Sequence, residues 1–423
     1  METDNLYINN ALDWLKRAVD SLVSHKRTDE GTGFVRSSKQ IIPEQKEGIF
    51  YTATFQAYSA LLESAETYKA EAFGLKEMTL ELPHIFTPDI FAKKDQYSTN
   101  NGSRSIILLE QILKVMVYLQ KYKHTIGEDI INAAKEAIDI ETAKTDILSN
   151  NANDEYYYPE AGRSPWFLLS LLNCQKYIET IYGDANGIIK IPSVDTLIDS
   201  HINYHMARYN VKELSFDPIS LVIALCCKIT RDPGFKTSPF CISCLEAIVK
   251  LQHNDGCWPT GATISFDDSG DVIQQASIQI ASQLAEAIID YKFLVDCNDN
   301  VEQVLDIIIP SFRKLFNYIT ATFEKLDNPC VYGWSSDRIK LKGYTETWIT
   351  AYTCRFLYKY WLAEKAYARI KALKRLGVTN YVYDEQNTIK EIKRWNDEII
   401  EPDHILKPKE TIDGIIRPII GNK

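Results

Sequence analysis

Glycine is scarce in this chain, at 18 of 423 residues. Dinucleotide-binding α/β enzymes and many-stranded β proteins need glycine for phosphate loops and tight turns, so the shortage points to helix. Long apolar runs are also missing. No segment approaches the ~18 uninterrupted apolar residues of a membrane-spanning helix. A basic surplus is absent: 47 Lys+Arg stand against 57 Asp+Glu, a formal net charge of −10. Binding to nucleic acid or to an anionic lipid surface is therefore not expected, because both need a basic footprint. Residues 1–5 are acidic and polar, unlike a secretory leader, and a cytoplasmic location is expected.

Several catalytic signatures are missing as well. The chain has no Walker-type loop, no nucleophile elbow and no Ser-His-Asp motif. Gly31-Thr32-Gly33 lacks the third glycine of a dinucleotide fingerprint and reads as a turn. The nine cysteines are an odd number, and Cys174, Cys226, Cys227 and Cys354 lie in apolar runs. Free buried thiols in a reducing compartment are expected. Cys241 and Cys244 have CxxC spacing, but no second pair follows to complete a zinc site. His201 and His205 stand one helical turn apart without an evident third ligand, so an exposed or partly satisfied pair is expected. No bound metal and no cofactor are expected.

What is present is ordinary globular material, 45% hydrophobic and 25% charged. The clearest internal unit spans residues 238–290. An apolar helical pattern over 241–251 leads into Gln252-His253-Asn254-Asp255-Gly256-Cys257-Trp258-Pro259, and a second helical pattern follows over 275–294. Weaker copies recur. One joins a helix over 11–24 to a helix over 50–68 through Gly31 and Gly33. Another joins a helix over 304–326 to a helix over 346–374 through Gly333-Trp334. Patterns over 103–122, 164–182 and 217–230 look like second members of further pairs. Second helices starting near residues 51, 104, 164, 217, 276 and 347 define six hairpins. A helical hairpin buries one face and needs neighbours on both sides, and closing a ring removes the exposed ends. The expected architecture is all-α, an (α/α)6 toroid over residues 1–376. An appendix over 377–423 is expected to be helical near 388–400 and extended beyond.

The stretch Gln252 to Pro259 resembles the QW repeat of squalene-hopene cyclases and other class II terpenoid cyclases. It is also similar to the glycine-rich hairpin loops of protein prenyltransferase β subunits. The resemblance implies an (α/α)6 toroid, with the loop joining an outer to an inner helix. It implies no chemistry by itself, because the motif is structural. The cyclase Asp-x-Asp-Asp acid motif has no counterpart here. Asp267-Asp268-Ser269-Gly270-Asp271 matches an Asp-Asp-x-x-Asp magnesium-diphosphate pattern in type. Asp-Ser-Gly between short apolar runs reads better as a hairpin turn. The zinc sets of the prenyltransferases and of lanthionine cyclases are not matched.

Polar and aromatic residues at the starts of the second helices form the remaining candidate site. They are Trp334, Asp337, Arg338, Glu346 and Trp348, with Arg104, Arg163 and Trp166 in comparable positions. Opposite charges there suit a ligand headgroup or a partner, and equally suit helix capping. Two function classes follow. The first is a non-catalytic toroid that binds a ligand or protein within a multi-protein system, such as bacterial defence or regulation. A protein partner with a basic surface complements the charge of −10, and an apolar small molecule is a candidate ligand. The second is a terpenoid-cyclase-like enzyme using Asp267, Asp268 and Asp271 as acid or Mg²⁺ ligands. A carbohydrate-active barrel using Asp337 and Glu346 is a third arrangement, singled out by nothing in the spacing.

Overall fold

The structure is a computed structural model that describes residues 2–27, 33–35, 37–38, 49–65, 88–92, 105–121, 126–143, 165–182, 194–210, 218–258, 263–265, 271–273, 277–290, 299–325, 331–335, 344–375, 378–383, 389–394 and 399–400. Eleven α-helices dominate these residues: α1 Glu2–Ser24, α2 Tyr51–Ala65, α3 Ser105–Lys121, α4 Glu128–Ala143, α5 Pro165–Tyr182 and α6 Val194–Asn210, then α7 Pro218–Arg231, α8 Pro239–Lys250, α9 Ser277–Ile288, α10 Asp299–Ala321 and α11 Thr347–Arg375. Helix is the expected class, and the six second-helix starts fall at α2, α3, α5, α7, α9 and α11. None of the described helices is long and apolar enough to cross a membrane.

Local chemistry sets the helix starts. Pro165, Pro218 and Pro239 each open a helix, where a missing N–H costs nothing and φ is already helical. Ser238 caps α8 by accepting a hydrogen bond from the Cys241 N–H at 3.1 Å. Helix α7 is buried on nearly every face, from Leu221 through Cys227. A helix apolar all round belongs inside a large assembly of helices, not on its surface.

Packing follows a cycle. α2 contacts α3, α3 contacts α5, α5 contacts α7, α7 contacts α9, α9 contacts α11, and α11 returns to α2. The other helices lie against this cycle: α1 on α11 and α2, α4 on α3 and α5, α6 on α7, α8 on α7 and α10, and α10 on α11. One continuous apolar core runs through all of them.

Three two-stranded antiparallel hairpins join flanking helices to helices of the cycle. Strands β1 (Lys26–Arg27) and β2 (Gly33–Phe34) precede α2. Strands β3 (Thr263–Ser265) and β4 (Asp271–Ile273) precede α9, and β5 (Glu324–Lys325) and β6 (Tyr332–Gly333) precede α11. The C-terminal segment differs from expectation. The helix expected near 388–400 is replaced by an antiparallel sheet of β7 (Val378–Tyr383), β8 (Ile389–Arg394) and β9 (Ile399–Ile400). The apolar spacing of Ile389 and Ile392 fits a helix turn, but the β-branched and aromatic run Val378-Thr379-Asn380-Tyr381-Val382-Tyr383 supplies a strand partner, and pairing overrides local pattern.

Candidate functional site

At the hairpin end, three aromatic residues repeat one device. Phe34, Trp258 and Trp334 are fully buried. Their backbone N–H groups donate to hydroxyls in the opening turns of the following helix: Phe34 to Thr54 at 3.0 Å, Trp258 to Ser277 at 3.0 Å, and Trp334 to Thr350 at 3.3 Å. The two indoles donate backwards, Trp258 Nε1 to the Ile248 carbonyl and Trp334 Nε1 to the Ile319 carbonyl, each at 2.8 Å. Each tryptophan therefore satisfies a carbonyl of the last helical turn while filling the wedge between two helices. Gly256 makes the first turn feasible. Its φ is +96°, and a Cβ there would lie 2.5 Å from the Lys314 carbonyl oxygen.

The candidate residues at this end are largely internal. Glu346 is buried. It accepts from Trp348 Nε1 at 3.0 Å and from the Tyr344 hydroxyl at 3.4 Å, and its N–H donates to the Trp334 carbonyl at 2.8 Å. Glu346 also bridges in antiparallel fashion to Ser37. Trp348 packs edge-on against Tyr352, 6.1 Å between centroids, and Trp166 is half-buried against the core. Asp271 stands in strand β4, opposite Ser265, and the Asp-Ser-Gly turn expected before it lies outside the described residues. Asp267, Asp268, Asp337, Arg338, Arg104 and Arg163 lie outside the described residues. Thus Trp334, Glu346 and Trp348 are brought together.

The opposite end holds a cavity of about 480 Å³. All six helices of the cycle line it: α2 through Glu63, α3 through Lys114 and Tyr118, α5 through Leu169 to Glu179, α7 through Cys226 to Arg231, α9 through Gln283 to Asp290, and α11 through Lys359. In α2, α3, α5, α7 and α9 these residues fall mostly in the C-terminal half. The hairpins precede three of the same helices, so cavity and hairpins occupy opposite ends.

Beneath the cavity runs a polar column that sequence reasoning did not find. Lys114 Nζ lies 3.1 Å from Glu63 and 3.0 Å from Glu286, and Lys359 Nζ lies 3.3 Å from Glu63. Arg355, one turn before Lys359, places Nε 3.6 Å from Glu286 and donates to Gln111 at 2.5 Å and to Ser59. Burial alone would raise the Glu63 pKa, but Lys114, Lys359 and Arg355 overcome it and hold the carboxyl at about 2. Glu110 is the contrast. Burial raises its pKa, and its contacts are neutral donors, Ser170 at 2.7 Å and Asn173 at 2.8 Å. Of these two buried carboxyls, the one held by cations is thus lowered, and the one held by neutral donors alone stays raised by burial.

A signal for this column does exist in the sequence. Gln56, Ser59 and Glu63, then Glu110, Gln111 and Lys114, then Tyr352, Arg355 and Lys359, recur at three- and four-residue spacing inside otherwise apolar helices. Read singly, such a stripe looks like a solvated face. Only several stripes turned toward one axis make a site. The histidine pair also departs from expectation. His201 and His205 are both buried, and burial, followed by His201 and Arg208, lowers His205 to about 3. Among the described residues, no three His, Cys, Asp or Glu converge as a metal-ligand set.

The chain matches no protein-family profile, no curated protein sequence and no solved structure.

Proposed function

We propose that the chain is an (α/α)6 toroid acting as a binding component, not a catalyst, with its ligand site in the cavity at the C-terminal ends of the inner helices. The closed cycle of contacts from α2 round to α11 supports the ring, with α1, α4, α6, α8 and α10 outside it. The single observation that carries the ligand site is the convergence of residues from all six inner helices on one polar, charged cavity. A cavity of this size suits a small molecule. Its charged lining solvates polar groups and disfavours a polyprenyl chain, which wants an apolar, aromatic wall. The cyclase reading therefore draws no support from this cavity, and Asp271 stands in the hairpin beyond the other end. The net charge of −10 supports a partner protein with a basic surface. Among the described residues, seven cysteines are free and buried, which supports a reducing, cytoplasmic setting.

The test is ligand-observed NMR with a set of small polar fragments on the full-length chain. Fragments are expected to bind the wild type and to be displaced by Ala287→Trp, which fills the cavity from α9. No binding fragment, or binding indifferent to Ala287→Trp, sinks the site. Incubation with polyprenyl diphosphate and Mg²⁺ is expected to give no cyclised product; a product lost in Asp271→Ala would restore the enzyme reading.

A further inference from the structure

Around the lysines of α3, α5 and α11 the cavity has more cation than anion. Among the described residues, Lys114, Lys359, Lys176 and the underlying Arg355 stand with two carboxylates, Glu63 and Glu286, besides the rim acids. Counting the buried Glu110 as well still leaves four cations to three carboxylates; burial raises its pKa, and the donors Ser170 and Asn173 pull it back down. The rim acids are shared with other partners. Asp290 pairs with Lys236 at 2.5 Å, and Glu179 accepts from Gln175 at 3.0 Å. Lys359 satisfies part of its charge on the Ile289 carbonyl at the end of α9, at 3.1 Å.

Lys176 is the odd member. Lys114 and Lys359 each hold a carboxylate, whereas the Lys176 ammonium makes no ion pair or hydrogen bond among the described residues. Its side chain keeps contact with solvent at the mouth. Even so, the surrounding protein lowers its pKa, chiefly by burial. Lys114 and Lys359 lower it further, against the opposing pull of Asp290 and Glu286. An ammonium in that position gains most from an anion brought in from outside, because the incoming charge relieves both the desolvation and the repulsion.

We infer that the cavity takes a small organic anion, a carboxylate or a phosphate ester, with Lys176 as its capturing cation. This rests on the cavity being a ligand site. The neutral groups beside Lys176 fit the rest of such a molecule. Asn173 and Gln283, whose amides also bond Glu110 and Tyr352, line the cavity with Tyr118 and Tyr177, a mixed polar and aromatic wall suited to hydroxyl groups and a carbon frame.

The test is isothermal titration of the full-length chain with inorganic phosphate, ribose 5-phosphate and malonate, with choline and glucose as controls at matched ionic strength. Saturable binding of at least one anion is expected, with choline and glucose inert. Lys176→Ala should weaken that binding by about tenfold or more, and Lys176→Arg should largely retain it. Lys176 reaches solvent, so neither variant should disturb folding, which circular dichroism checks. Binding of the phosphates without malonate assigns a phosphate ester, and the reverse a carboxylate. Anion binding unchanged in Lys176→Ala, or no anion binding at all, overturns the proposal. If fragments still bind in an Ala287-dependent way while every anion fails, the anion class is wrong and the ligand site survives. If both fail, the site itself is wrong.

Discussion

Gln252 and Ser311 exchange two hydrogen bonds across the gap between α8 and α10. Ser311 Oγ donates to Gln252 Oε1 at 2.8 Å, and Gln252 Nε2 donates to the Ser311 carbonyl at 3.1 Å. The same Nε2 also donates to the Gly256 carbonyl at 2.9 Å. One buried amide thus closes its own loop and pins it to α10, which explains a glutamine at the head of the motif.

Gln252→Leu keeps the volume and removes every one of these bonds. It should cost about 2 to 3 kcal/mol, because buried carbonyl and hydroxyl groups lose partners without gaining water. Urea denaturation measures it. Adding Ser311→Ala should cost less than the sum of the two single changes, since the hydroxyl is already orphaned.

Gly256→Ala tests the turn. The residue sits at φ +96°, and its Cβ would approach the Lys314 carbonyl to 2.5 Å. Strain and displacement of α10 together predict a loss on the order of 2 to 4 kcal/mol, seen as a fall in the thermal midpoint. An unchanged midpoint would mean that the loop is free to move away from α10.

Glu63→Gln leaves Lys114 and Lys359 without their shared anion in a buried site. Breaking such a pair costs on the order of 3 to 5 kcal/mol. The pH dependence has a defined sign. Burial would raise the Glu63 carboxyl, but the three cations lower it from 4.5 to about 2. Its contribution is present above pH 4.5 and is lost as pH falls toward 2. The wild-type advantage over Glu63→Gln should shrink across that window.

His25 gives the opposite case, a base kept neutral. Its Nδ1 lies 2.8 Å from the Ser21 carbonyl and its Nε2 2.9 Å from Thr345 Oγ1, joining α1 to the start of α11. Burial first, aided by Arg27 and opposed by the Ser21 bond, lowers its pKa from 6.5 to about 4. The unfolded chain therefore binds the proton more readily, and stability falls as pH drops from 6.5 toward 4. His25→Gln should flatten that slope in urea titrations at stepped pH. An equal slope in both proteins would show that His25 is charged in the folded state.

The helical class and the helix–loop–helix units were readable in the sequence. Apolar periodicity and the Gly256–Trp258 loop act within a few residues, so they appear in a linear string. The pairing of β7 with β8 was not readable, because strand formation there depends on a partner that competes with a weak helical pattern.

Local chemistry in the chain thus determined where helices begin and why a glycine and a tryptophan punctuate them. Tertiary structure decided which face of each helix became the interior. Ser59, Gln111 and Arg355 are polar residues at helical spacing, and spacing alone cannot distinguish solvent from an axis shared with five other helices. Tertiary packing also decided the end of the assembly where charge collects. Burial and ion pairing are properties of neighbours far apart in sequence, as the distances from Glu63 to Lys114 and Lys359 show.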